Sequence, residues 1–109
     1  MGIEINQIAK VPLDIDGMIA LCKQYRIKEL SLFGSVLRDD FDRNKSDIDI
    51  LVEFSSDTSV KSLLDLIHVK NVFSDLLGYE VDLIEKRALS PYISDDVLKR
   101  RKVVYVSPQ

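Results

Sequence analysis

Apolar residues recur along this chain with two spacings, one typical of helices and one typical of short strands. Two groups follow the helical spacing of three and four residues: Ile15, Met18, Ile19 and Cys22, then Val60, Leu63, Leu64 and Ile67. Short, mostly apolar runs between polar turns predict strands. We therefore expect an irregular arm over 1–13, helices over 14–25, 60–78 and from Pro91 onward, and strands over 29–33, 47–54, 80–84 and 103–106.

Capping residues mark the ends of two of these helices. Gly78 fits a C-cap, since glycine enters the left-handed conformation at low cost. Ser90 and Pro91 fit an N-cap followed by proline at the first helical position. The alternation of helices and strands predicts an α/β or α+β fold with a mixed three- to four-stranded sheet packed by helices. A length of 109 residues predicts one domain over 1–109.

The tripeptide Asp47-Ile48-Asp49 opens the second predicted strand. Residues two apart in a strand project from the same face, so its two carboxylates would lie side by side. Like charges at that distance repel, and Asp is a poor strand former, so a divalent cation between the carboxylates explains the pair best. Carboxylate oxygens suit Mg²⁺ or Mn²⁺, between which the sequence does not distinguish.

A second motif, Gly34-Ser35, follows the first predicted strand. Gly34 would let the chain turn sharply and a phosphate approach the backbone, because glycine has no Cβ and tolerates positive φ. Ser35 would cap a short helical turn whose free N–H groups suit a triphosphate. Arg38, one turn later, is a candidate phosphate ligand. This motif therefore predicts a nucleotide-binding turn.

Two other interpretations of the Asp pair stay open. A half-buried edge strand would also turn Asp47, Asp49 and Glu53 outward. An EF-hand calcium loop would use a register of four residues, Asp42, Asn44, Ser46 and Glu53, but Asp47 stands where its sharp turn needs glycine. The same tripeptide at 14–16 has no Gly-Ser turn before it and a helical pattern directly after it, so it predicts a helix start.

Taken together, the two motifs resemble the minimal nucleotidyltransferase family, the small branch of the DNA polymerase β superfamily. The resemblance covers most of the chain and rests on 33–41 and 46–52, which match the family's Gly-Ser loop and Asp-x-Asp strand. The strand at 81–84 resembles the one that supplies a third carboxylate, here Asp82. From the residues alone, a solvent-facing Asp82 is an equally good interpretation, because spacing does not show which strand lies beside which.

The resemblance implies a set of site residues. Asp47, Asp49 and Asp82 would be catalytic and bind two Mg²⁺ ions, with Asp82 also a candidate base, while Gly34 and Ser35 would hold the phosphates of ATP. The chain departs from the family in one respect, because eleven residues separate Ser35 from Asp47 where the family has ten. The extra residue falls in a polar stretch over 42–45, and loops tolerate insertions.

The resemblance also implies a partner and a role. The family typically pairs with a HEPN-domain toxin, and some members transfer AMP to a tyrosine of that toxin. We therefore expect an antitoxin that transfers AMP from ATP to a hydroxyl of a HEPN ribonuclease and neutralises it. The alternatives are an antitoxin that inhibits by contact alone, and a small-molecule nucleotidyltransferase completed by a partner subunit.

The composition of the chain restricts its possible partners and its expected location. Fifteen Lys and Arg against 18 Asp and Glu give a net charge of −3, which argues against direct nucleic-acid binding. A cationic run over 99–102 fits a helix C-terminus. With no apolar run of membrane-spanning length and no signal peptide, we expect a cytoplasmic protein. Cys22 is expected to be a buried thiol, and His68 a surface or partly packed helix residue.

Overall fold

In the computed structural model, which describes residues 13–37 and 47–108, helices and strands alternate along the chain. The helices are α1 (Ile15–Gln24), α2 (Leu63–Leu77) and α3 (Pro91–Arg100). The strands are β1 (Ile27–Phe33), β2 (Ile48–Phe54), β3 (Val81–Glu85) and β4 (Lys102–Val106). Short 3₁₀ turns at Gly34–Leu37 and Lys86–Ala88 follow β1 and β3. The predicted arm lies outside the described residues, apart from Leu13.

Three helix ends lie where the sequence predicted them, whereas α2 begins at Leu63, three residues after its predicted start. Asp14 is the N-cap of α1, and its carboxylate accepts a hydrogen bond from the Gly17 N–H at 2.9 Å, so the tripeptide at 14–16 is a helix start. Gly78 caps the C-terminus of α2 with a φ of 76°. Ser90 is the N-cap of α3, and Pro91 occupies its first turn. Local capping chemistry therefore sets these boundaries.

The four strands form one mixed sheet in the order β3-β2-β1-β4. β1 runs antiparallel to both β2 and β4, and β2 runs parallel to β3. The predicted fold class, a small mixed sheet packed by helices, is confirmed. β2 lies between β1 and β3, so the interpretation of Asp47 and Asp49 as residues of an edge strand is wrong.

One face of the sheet carries the hydrophobic core. Alternate residues of β2, namely Ile48, Ile50 and Val52, are fully buried and pack with residues from α1 and α2. Met18 and Phe73, one from each helix, are likewise inaccessible to solvent. The intervening positions of β2 belong to the opposite face, where Leu51 is buried and Asp49 and Glu53 are half-buried. The core therefore fixes which face of β2 is left for polar chemistry.

Helix α2 buries a different stripe from the one whose spacing indicated the helix. Val69 and Phe73 face the core, whereas Leu63 and Leu64 are 71% and 77% exposed. At 100° per residue, the two pairs lie on opposite sides of the helix. The sequence of α2 thus contains two apolar stripes, and only packing against the sheet decides which one is buried.

Two smaller expectations also concern the helices. Cys22 is fully buried in α1, and burial raises the pKa of its thiol to about 12, so it stays protonated at neutral pH. His68 is exposed on α2 and makes an edge contact with Tyr25, with ring centroids 6.4 Å apart. Both expectations are confirmed. Within 13–37 and 47–108, each helix is too short or too polar to cross a membrane.

Candidate active site

The register of the two parallel strands brings two of the predicted carboxylates together. Asp49 of β2 and Asp82 of β3 are directly paired in the sheet. Paired residues of neighbouring strands point to the same face and lie about 4.8 Å apart. Asp49 is half-buried and Asp82 is exposed, so the pair opens toward solvent on the face away from the core. The sequence left the position of Asp82 open, and strand pairing places it beside Asp49.

Asp47 stands at the entrance to the same strand. It is exposed and comes directly before β2, which begins at Ile48 rather than at Asp47 as predicted. The Ile48 N–H donates a hydrogen bond to the Glu80 carbonyl at 2.8 Å, which ties this end of β2 to the segment leading into β3. The start of β2 is therefore held next to the start of β3, where Asp82 lies.

Gly34 lies against the Asp49 carboxylate of this site. It follows β1 with a φ of 76°, a conformation that residues with a Cβ rarely adopt. A Cβ built on Gly34 would overlap Oδ2 of Asp49 and lie 3.2 Å from its Cγ. The Asp49 carboxylate thus packs directly against the glycine backbone. Both the left-handed turn and this close approach require glycine.

Two predicted phosphate ligands are only partly described. Ser35 lies in the 3₁₀ turn directly after Gly34, and the structure describes its backbone but not its side chain. Arg38 lies outside the described residues, as do the loop with the extra residue and three residues of the calcium-loop register. Glu53, the last residue of that register, lies within β2. The roles of Ser35 and Arg38 stay predictions.

The donors fit a magnesium ion in type and in register. Within 13–37 and 47–108, no three His, Cys, Asp or Glu side chains form a cage that could hold a metal ion, so the structure does not bring Asp47, Asp49 and Asp82 together as one such cage. Mg²⁺ does not need such a cage, because it is usually bound by one or two carboxylates, with waters and substrate phosphates completing its octahedron. Asp49 and Asp82 are suitably paired for that role. A two-ion site stays a prediction.

One cleft of the described structure lies away from these carboxylates. It has a volume of about 440 Å³ and is lined by residues at the ends of β2 and β3 opposite Asp49 and Asp82, among them Glu53 and Lys86. Lys86 forms ion pairs with Glu53 at 3.6 Å and with Glu29 at 3.7 Å. The charges of Lys86, Glu29 and Glu53 are thus paired with one another, and the cleft contributes no side chain to the carboxylate site.

A smaller groove adjoins the site, and sequence reasoning did not anticipate it. It has a volume of about 380 Å³ and lies between the Gly34–Leu37 turn and the end of α3, with Arg100 and Lys102 in its lining. The sequence explained the cationic run at 99–102 by the helix dipole alone. In the structure the run is divided, since Lys99 and Arg100 end α3 and Lys102 begins β4.

Comparison with known proteins identifies the family of this chain. A family model described as the nucleotidyltransferase domain matches residues 19–104 of the chain. The chain belongs to that family. This match covers both sequence motifs, the strands β1 to β3 and the start of β4, so the nucleotidyltransferase predicted from the motifs is confirmed.

Individual relatives narrow the branch of the family. The protein adenylyltransferase MntA of Thermococcus cleftensis is 38% identical over 86 residues, which cover 79% of this chain and 81% of that protein. A chain of a toxin-antitoxin structure with AMP-PNP has a TM-score of 0.71 at 24% identity, covering 89% of this chain and 77% of that one. A chain of the Shewanella oneidensis complex of a tri-AMPylated HEPN toxin with its MNT antitoxin has a TM-score of 0.62 at 21% identity, covering 85% and 70%. The two structures share the fold, and the predicted minimal nucleotidyltransferase branch is confirmed.

Proposed function

We propose that this protein transfers AMP from ATP to a hydroxyl group of a HEPN-domain toxin and thereby neutralises it. One observation carries the proposal: the Asp49 carboxylate is paired with Asp82 across parallel strands and packs against the left-handed backbone of Gly34. This geometry supports the proposal, because it sets carboxylate oxygens, which Mg²⁺ favours, next to a glycine turn of the kind that a phosphate can approach. A carboxylate pair held only for contact would have no such requirement.

In the proposed mechanism, the residues of the chain hold the two reactants in line. Asp47, Asp49 and Asp82 would bind Mg²⁺, which supplies charge neutralisation for the triphosphate and activation of the attacking hydroxyl. Gly34 and Ser35 would hold the phosphates through backbone N–H groups. The acceptor oxygen forms a bond to the α-phosphorus, the bond to the bridging oxygen breaks, and pyrophosphate leaves with the electron pair. The hydroxyl proton passes to the Asp82 carboxylate.

The choice of nucleotide and acceptor rests on the relatives. The Thermococcus cleftensis relative is named a protein adenylyltransferase, one structural neighbour was determined with AMP-PNP, and another contains a tri-AMPylated HEPN toxin. ATP and a HEPN-domain protein are therefore the reactants that we propose for this chain. Mn²⁺ would serve the same carboxylates as Mg²⁺, because both ions favour oxygen ligands.

The proposal is tested by the intact mass of a HEPN-domain protein supplied as the partner. The partner is incubated with this protein, ATP and Mg²⁺, and we expect its mass to rise by one or more AMP groups. Asp49→Asn should abolish the transfer while leaving the thermal unfolding midpoint nearly unchanged. The chain offers a matched control in Asp16→Asn. Asp16 ends the second copy of the Asp-Ile-Asp tripeptide, at 14–16, and lies exposed in the first turn of α1.

Each other outcome points to one of the alternatives. A partner that binds tightly without gaining mass would indicate inhibition by contact. A partner that neither binds nor gains mass would favour a small-molecule acceptor. Full transfer by Asp49→Asn would contradict the carboxylate site itself.

A further inference from the structure

The groove between the Gly34–Leu37 turn and α3 is continuous with the carboxylate site. Gly34 lines this groove, and the same residue packs against the Asp49 carboxylate. The groove therefore begins where the carboxylate site ends. Its volume of about 380 Å³ lies within the range of small-molecule pockets, about 300–1,000 Å³. A ligand held at Asp49 has room to extend into it.

The charges in the groove favour an anion. Arg100 and Asp96, both in its lining, form an exposed ion pair at 3.0 Å and largely cancel each other. Lys102 also lines the groove and makes no ion pair with any residue in 13–37 or 47–108. Among the described lining residues, one cationic charge is thus left over in the groove. The neighbouring Arg101 is not available to bind an anion in this way, because its guanidinium forms an ion pair with the Glu29 carboxylate at 2.9 Å.

We propose that Lys102, assisted by Arg100, binds the β- and γ-phosphates of the nucleoside triphosphate and then the pyrophosphate that leaves. The inference rests on the proposed function, since it assigns the part of the nucleotide that lies beyond the reacting α-phosphorus. Breaking the bond to the bridging oxygen places additional negative charge on the leaving pyrophosphate. A cation in the groove stabilises that charge. Lys102 acts as a point charge, which suits a mobile leaving group.

The test compares the binding of ATP and AMP to the full chain at equilibrium, in Mg²⁺ and at fixed ionic strength. ATP carries the two phosphates that Lys102 would contact, whereas AMP lacks them. Lys102→Gln should weaken ATP binding about tenfold and leave AMP binding unchanged. Inorganic tripolyphosphate, which has no nucleoside, should compete with ATP for the wild-type protein and compete less well for the variant.

A second variant should change affinity in the opposite direction. Asp96→Asn removes the negative charge from the groove and releases Arg100 from its ion pair. We expect it to tighten ATP binding about twofold, again without an effect on AMP. A purely structural role of these residues would not produce opposite signs. Lys99→Gln is the matched control, because Lys99 lies in the same turn as Arg100 but does not line the groove.

Three outcomes would overturn the inference. Unchanged ATP binding in Lys102→Gln would show that the groove does not hold the β- and γ-phosphates. Equal losses for ATP and AMP would instead assign the groove to the nucleoside monophosphate part that the two ligands share. An equal loss in Lys99→Gln would indicate a long-range charge effect. In each case the wild-type protein still binds ATP, so the proposed function stands. A wild-type protein that binds no ATP would end both proposals.

Discussion

Gly34 and Gly78 have the same backbone conformation but different surroundings. Both have a φ of 76°. A Cβ on Gly34 would overlap the Asp49 carboxylate, whereas a Cβ on Gly78 would meet nothing within 4 Å. At Gly78 the requirement for glycine is purely conformational, as expected at a helix C-cap. At Gly34 a steric requirement is added, and it involves a residue of the candidate site.

This difference predicts different effects for the same substitution. Gly78→Ala should cost about 1–2 kcal/mol in the free energy of unfolding, the price of a left-handed alanine, and leave AMP transfer intact. Gly34→Ala should incur a similar strain and also displace the Asp49 carboxylate, lowering the transfer rate about a hundredfold. Denaturant unfolding and a transfer assay on both variants measure the two effects separately. Equal transfer rates in the two variants would contradict the packing of Asp49 against Gly34.

At the scale of the element, α2 is well defined at both ends and has one buried face. Its N-terminus has a capping box, in which the Ser62 side chain accepts from the Asp65 N–H at 3.2 Å and the Asp65 carboxylate accepts from the Ser62 N–H at 3.2 Å. The backbone hydrogen bond from Lys61 and those from Ser62 lower the pKa of Asp65. Asp65 therefore supports the helix above its unfolded pKa, and this support is lost as the pH falls through its folded value.

The buried face of α2 can be tested by two truncations of similar chemistry. Phe73→Ala should cost about 3–5 kcal/mol, because it empties a fully buried position between the helix and the sheet. Leu64→Ala should change stability by no more than about 0.5 kcal/mol, because Leu64 is 77% exposed. Urea unfolding of both variants provides the comparison. A large loss in Leu64→Ala would mean that the other apolar stripe of α2 faces the core.

At the scale of the whole molecule, an ion network ties the C-terminal elements to the centre of the sheet. The Arg101 guanidinium contacts the Glu29 carboxylate of β1 at 2.9 Å and 3.1 Å, and it donates to the Leu98 carbonyl at 2.6 Å. Lys86, in the turn after β3, completes the network through Glu29 and Glu53. Arg101 and Glu29 are only 20% and 17% exposed, so solvent screens their interaction weakly. The network therefore fixes where β4, and with it Lys102, begins.

Adjacent arginines allow a matched test of this network. Arg101→Gln should cost about 1–3 kcal/mol, since it removes charge-assisted hydrogen bonds to a mostly buried carboxylate. Arg100→Gln should cost no more than about 0.5 kcal/mol, because its pair with Asp96 is exposed and spans one helical turn. Thermal unfolding of the two variants at the same pH gives the difference. Equal effects would show that the network contributes no more than a surface ion pair.

Several features of the fold and site could be predicted because their causes are local. Gly78, Ser90 and Pro91 act on the backbone within one turn, and they set the helix ends where the sequence predicted them. Gly34 is similar, because its left-handed φ is a property of the residue itself. The strand limits moved by one or two residues. Ile27 joined β1 and Glu85 joined β3, because pairing with a neighbour extends a strand beyond its apolar run, whereas Asp47 and Glu80 lie just outside β2 and β3.

What the sequence by itself determined was the order of the elements, their caps and the two motifs that carry the candidate chemistry. The tertiary structure decided three further matters: that Asp82 pairs with Asp49, that α2 buries Phe73 rather than Leu64, and that Lys102 lines a groove beside Gly34. The physical reason is the range of the interactions. Periodicity and capping act over a few residues, whereas strand register and the burial of one helix face depend on contacts between segments far apart in the chain.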